Sequence, residues 1–213
     1  MVSTHPTFDM ISACAAGRAS NGVALLVSAH MTFCARCRDE IARLESLGGA
    51  LFAMSEPSEV APGMLDALME RIEAHETSAE PVPETAPADA LPAPIRAALG
   101  VPFSEIRWRF RIPGVSEAVI AMPGDEKVSL LRVRPGAGVP KHTHTAVEAT
   151  LVLSGALLDR GIAYRAGDVA IATEADDHRP RAGEDEDCIC LAVLSGGLRF
   201  TGPFGRALNI LAE

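Results

Sequence analysis

Apolar residues recur at helical spacing through the first third of the chain, and in short alternating or continuous runs through the second half. FDMISACAAG (8–17) reads as a first helix closed by Gly17. Asn21 is placed to cap a second over 23–33, and Arg38–Leu47 supplies a third before Gly48–Gly49. MLDALMERIEAH (64–75) gives a fourth, with Leu65, Leu68, Met69 and Ile72 expected to form one buried stripe. From Thr77 to Ala98 prolines stand at 81, 83, 87, 92 and 94, a composition expected to run extended as a linker. Beyond it the pattern predicts eight strands, over 106–112, 116–122, 127–134, 147–154, 161–165, 168–173, 187–194 and 197–202. Gly, Pro and Asp punctuate these runs, as in an antiparallel sandwich or barrel. Residues 203–213 form a short apolar tail without an assigned role.

The expectation is therefore an α plus all-β chain of two domains. A small helical module of about four helices covers 1–76, a Pro-rich linker 77–98, and a β domain 99–213. Composition narrows the function. Over 213 residues, 48% are hydrophobic and the formal net charge is −9, so a core can form while phosphate-backbone binding is disfavoured. Residues 1–76 hold five Arg against ten Asp or Glu, a balance of −5 that suits a basic protein partner. No basic-then-apolar leader and no run approaching ~20 apolar residues is visible, so a cytoplasmic protein without a membrane span is expected. The five cysteines, one pair as C-x-x-C, fit metal ligation in a reducing compartment better than a disulfide framework.

Two constellations carry chemistry. The first is HMTFCARC. On a single helix at ~100° per residue, Cys34 lies about 40° from His30 and Cys37 about 20° to the other side. Two thiolates and an imidazole are donors that zinc favours, and a closed tetrahedral site needs a fourth. His5 lies ahead of the first helix, free to fold back over that wedge. Three or four short helices have a thin core, so a zinc tie between the N-terminus and the helix 2–helix 3 junction would fix their arrangement.

The second spans 136–155, GAGVPKHTHTAVEATLVLSG. It satisfies G-x5-H-x-H-x3-E-x6-G, with His142, His144 and Glu148 at the polar positions and Gly136 and Gly155 at the bends. That pattern resembles the first motif of the cupin family, and the resemblance implies a β-barrel for 99–213. A relaxed second motif follows, with Ala166–Gly167–Asp168 as its turn and His178 as third histidine. Such a set holds zinc, iron, manganese or nickel. Cys188 and Cys190 share one face of a strand, either filling the core or serving as redox reporters or alternative ligands.

H-x3-C-x2-C with an upstream histidine resembles the zinc-binding anti-sigma domain that inhibits group IV (extracytoplasmic function) sigma factors. Joined through a Pro-rich linker to a cupin, and with AGD…HRP and CICLA following, the chain resembles the ChrR-type anti-sigma factors over nearly its whole length. The resemblance implies an N-terminal module that holds sigma inactive. It also implies a cupin, dispensable for inhibition, that senses an oxidative signal such as singlet oxygen. The rival is a cupin metalloenzyme of the dioxygenase or isomerase type. That reading requires polar pocket residues beyond the ligands, for which the sequence offers only Tyr164 and Glu174.

Overall fold

The structure is a computed structural model that describes residues 2–76 and 91–202. Helix α1 (Phe8–Ala15) starts at Thr7, whose side chain accepts from Met10 N. Helix α2 (Asn21–Met31) is capped by Ser20, not Asn21, because the Ser20 hydroxyl meets Val23 N. Asn21 instead sends its amide to the Pro123 carbonyl. Helix α3 runs Ala35–Ala53, through the expected stop at Gly48–Gly49. Each helical glycine costs only ~1 kcal/mol relative to alanine, and the flanking Leu47, Ala50 and Leu51 favour continuation.

The apolar stripe of the fourth helix, α4 (Met64–Glu76), is present but not buried. Leu65, Leu68, Met69 and Ile72 are 68%, 49%, 48% and 44% exposed. Every residue from Glu45 to Ala74 is exposed. The internal face of α3 carries Cys37, Ile41 and Leu44 against the core, then projects Leu47 and Leu51 beyond it.

The expected linker is helical at its end. Residues 77–90 lie outside the described residues, but Ala93–Leu99 form α5, with proline in its first turn and Gly100 at its left-handed C-terminus. Ile95 is fully buried there and α5 packs on α2, so apolar side chains override the extended bias of the prolines.

Eleven strands follow among the described residues, all pairings antiparallel: β1 (Arg109–Ile112), β2 (Val115–Val119), β3 (Lys127–Val133), β4 (His142–His144), β5 (Glu148–Ser154), β6 (Ala156–Asp159), β7 (Ile162–Arg165), β8 (Val169–Ala172), β9 (Arg181–Ala182), β10 (Cys188–Leu194) and β11 (Leu198–Phe200). They form a six-stranded sheet β1-β2-β3-β10-β5-β8, a pair β11-β4 and a triplet β7-β6-β9. The result is cupin-like, although the three sheets do not close into one hydrogen-bonded barrel. The three strands beyond the expected eight, β4, β6 and β9, are two to four residues long.

All seven residues of β10 are buried, which explains its continuous apolar run CICLAVL. Its Cys188 and Cys190 join Val152, Tyr164 and Ala170 on the inner face. Leu191 and Val193 face the helices and share one cluster with Leu25 and Leu26 of α2. The helical and β parts are thus packed through a common core. The fit at the start of α2 is tight: a Cβ on Gly22 would lie 2.8 Å from both Val128 and Val193. No helix among the described residues is long and apolar enough to cross a membrane.

Candidate metal centres

His30, Cys34 and Cys37 do not sit on one helix. His30 lies in the last turn of α2, Cys34 is the N-cap of α3, and Cys37 falls in the first turn of α3. The break arises where Phe33 N and Cys34 N both bond back to the His30 carbonyl, at 2.9 and 3.1 Å. This turn delivers the three side chains to one point, and His5 closes over them. His5 Nδ1 is 3.5 Å from both sulfurs, and His30 Nε2 is 3.3 Å from Cys37 Sγ. The four donor atoms lie within 4.8 Å of one another, with His30, Cys34 and Cys37 buried.

The chemistry of this set fits a soft divalent cation. His30 Nδ1 donates to the Gly167 carbonyl at 2.8 Å, so its Nε2 carries the lone pair that faces the sulfurs. Burial, then the adjacent Cys34, pushes the Cys37 thiol up to about 11. A divalent ion between the sulfurs would offset that cost and hold both as thiolates.

The second group forms where β4 meets the loop after β8. His142 and His178 exchange backbone hydrogen bonds, at 3.0 and 2.9 Å, as an isolated antiparallel bridge. This pairing seats His178 opposite His142 despite its relaxed motif spacing. His142 Nδ1 donates to the Pro140 carbonyl at 2.8 Å and His178 Nδ1 to Asp159 Oδ2 at 2.9 Å. Their Nε2 atoms therefore present lone pairs to each other at 3.1 Å, an arrangement that a shared cation reconciles. His144 Nε2 stands 2.9 Å from His178 Nε2 and 3.1 Å from Glu148 Oε2. Burial, followed by the two other histidines, lowers His144 to about 4, so it is a neutral donor at physiological pH. Burial also raises the Glu148 carboxyl.

Sequence reasoning missed the groups that orient these ligands. Asp159 ends β6, and Arg160–Gly161 make the two-residue turn to β7 with φ of 48° and 80°. Arg160 bridges Asp159 and Asp176 and also bonds the Ile171 carbonyl. Burial alone would raise Asp159, but the His178 hydrogen bond and the Arg160 charge override it and hold the carboxyl below its ordinary range. The detectable sequence signal was only an acidic residue before a turn glycine. Asp159→Asn is expected to weaken metal retention by the cupin group about 10–100-fold while leaving the fold intact, as measured by competition with a chelating dye. Unchanged retention would show that Asp159 does not orient His178.

His142, Glu148 and His178 line a cavity of about 750 Å³. Arg111, Lys127 and Arg199 also reach it, with Glu117 paired to Arg111 and Lys127 at 2.8 and 2.7 Å. Tyr164 and Glu174 are not in its wall: Tyr164 is packed in the inner core and Glu174 is exposed. Cys190 lines the cavity and its sulfur is 3.4 Å from that of Cys188. The four-residue ligand group includes neither cysteine. The contact with Cys188, then burial, pushes the Cys190 thiol well above its usual range, so it is a protonated thiol and not a preformed thiolate.

Residues 96–196 match the family described as the ChrR cupin-like domain. The chain is also 33% identical over 196 residues to the anti-sigma-E factor ChrR of Cereibacter sphaeroides, covering 92% of this chain and 91% of the relative. It belongs to the ChrR family. The crystal structure of Rhodobacter sphaeroides SigE in complex with the anti-sigma ChrR is similar at 30% identity and a TM-score of 0.79, covering 91% of this chain and 99% of that one. At 91–92% of the chain, the ChrR likeness is not confined to the cupin half.

Proposed function

We propose that this chain is an anti-sigma factor that binds a group IV sigma factor in the cytoplasm and holds it inactive. The observation that carries this reading is the exposed apolar arm. From Glu45 to Ala74 nothing is buried, yet the segment displays Leu51, Phe52, Leu65, Leu68, Met69 and Ile72. An apolar surface of this extent marks a protein interface. The Cereibacter sphaeroides ChrR relative is an anti-sigma factor, and the similar Rhodobacter sphaeroides ChrR was solved in complex with SigE. The acidic balance of residues 1–76 complements a basic, DNA-binding partner.

Both metal-capable groups are read as zinc sites. The His5–His30–Cys34–Cys37 group, closed by four protein donors, sets the angle between α2 and α3 and hence the direction of the arm. The His142–His144–Glu148–His178 group faces a cavity and is read as the part that responds to an oxidant such as singlet oxygen, with Cys188 and Cys190 as oxidisable neighbours. The full chain is expected to copurify with a group IV sigma factor from the same genome and to block transcription by it in vitro. A folded, metal-loaded chain that does neither would sink the proposal. The cavity and its Arg111, Lys127 and Glu117 favour a second reading, a cupin metalloenzyme, but that reading leaves the exposed arm without a purpose.

A further inference from the structure

We infer that the cupin turn Arg165–Asp168 is a structural part of the N-terminal metal site, positioning both of its imidazoles from the other domain. The inference rests on reading the His5–His30–Cys34–Cys37 group as a metal site. Cys34 and Cys37 are held by the helix junction itself. The two histidines are held differently.

His30 is oriented by the Gly167 carbonyl, 137 residues away in sequence, through the 2.8 Å bond from Nδ1. This bond selects which nitrogen faces the sulfurs. His5 follows a segment stapled to the same turn. Asp168 Oδ1 accepts from Ser3 N at 2.6 Å, Ser3 Oγ at 3.0 Å and Thr4 N at 2.9 Å. Val169 N returns bonds to the Thr4 carbonyl and hydroxyl at 3.3 and 3.1 Å. Residues 2–6 precede the first helix, and these bonds place His5 beside the sulfurs at a fixed point in the chain. The turn is itself anchored to β5: Gly167 N donates to the Val152 carbonyl, and Val152 N to the Asp168 carbonyl. Val152 pairs in register with Cys190 of β10. The fit at the turn is close, since a Cβ on Gly167 would lie 2.7 Å from Val2 and 2.8 Å from Phe33, the residue just before Cys34.

The test uses the full chain loaded with cobalt(II). Thiolate-to-cobalt absorption reports the N-terminal site alone, because the cupin group offers imidazoles and a carboxylate. Its decay after addition of excess EDTA gives the release rate. Gly167→Ala inserts a methyl group into the contact, and Ser3→Pro removes two of the three donors to Asp168 Oδ1 without altering the cupin. Each is expected to speed release about ten-fold or more. Gly161→Ala is the control. Gly161 has the same left-handed backbone (φ +80°), but an added Cβ meets nothing within 4 Å, so release is expected to stay within about two-fold of the parent. The inference stands if every folded member of the pair accelerates release and the control does not. Any other pattern overturns it. Failure of the parent to show thiolate absorption would instead remove the metal reading on which it rests.

Discussion

Replacing Leu68 and Ile72 together with aspartate is expected to abolish sigma inhibition. The two positions lie one helical turn apart on α4, on the same face, and are 49% and 44% exposed. Neither contributes to the buried core, so circular dichroism and metal content should match the parent. At an interface the same side chains would be desolvated. Loss of a central apolar contact typically costs about 2 kcal/mol or more, roughly 30-fold in affinity. Two such losses, with two carboxylates placed in a dry contact, give a reduction on the order of a thousand-fold. Glu70→Gln, on the opposite side of α4, should change binding by less than about ten-fold, as expected of an interface rim. Titration of sigma in a transcription assay would separate these outcomes. Parent-like inhibition by the Leu68→Asp, Ile72→Asp chain would exclude α4 as the binding surface.

That stripe also shows where sequence reading stops. Apolar positions at 3–4 spacing announce an amphipathic helix, but the spacing is the same whether the face meets the chain's own core or another protein. Only the three-dimensional arrangement distinguishes them. His142 and His144 were more legible, because their spacing puts both on one face of a short strand, and the Gly155 bend behind them requires its left-handed φ of 71°. His178 was legible as a residue type, but its seat depends on a ladder pairing with His142 that no local motif encodes. For the N-terminal set, one continuous helix was the wrong geometry, although the four named side chains do come together. A break at Phe33 lets ligands on two helices converge. Asp159, Gly167 and Asp168 act on histidines 19, 137 and more than 160 residues away, or on the segment leading to one. Partners so far apart in sequence leave no periodic trace.

If the cupin group is the proposed oxidant sensor, His144→Ala is expected to leave sigma binding intact while removing a response to singlet oxygen. His144 Nε2 is the atom that joins Glu148 to His178, so its loss removes one donor and leaves the buried Glu148 carboxylate without its imidazole partner. Metal retention by the cupin group should fall by about 100-fold or more, since loss of a ligand exceeds the 10–100-fold cost of losing an outer partner. The proposed binding arm lies on α3 and α4, and the N-terminal group shares no residue with the cupin group. Nor does β4, which bears His144, contribute to the Arg165–Asp168 turn that contacts His30 and Ser3. Inhibition in unstressed conditions should therefore match the parent, whereas sigma should stay bound after illumination in the presence of a photosensitiser. The two halves of the expectation fail separately. A chain that still releases sigma on illumination would remove the cupin metal from the sensing step. A chain that no longer binds sigma at all would show that the cupin group supports the arm and does not merely report on the environment.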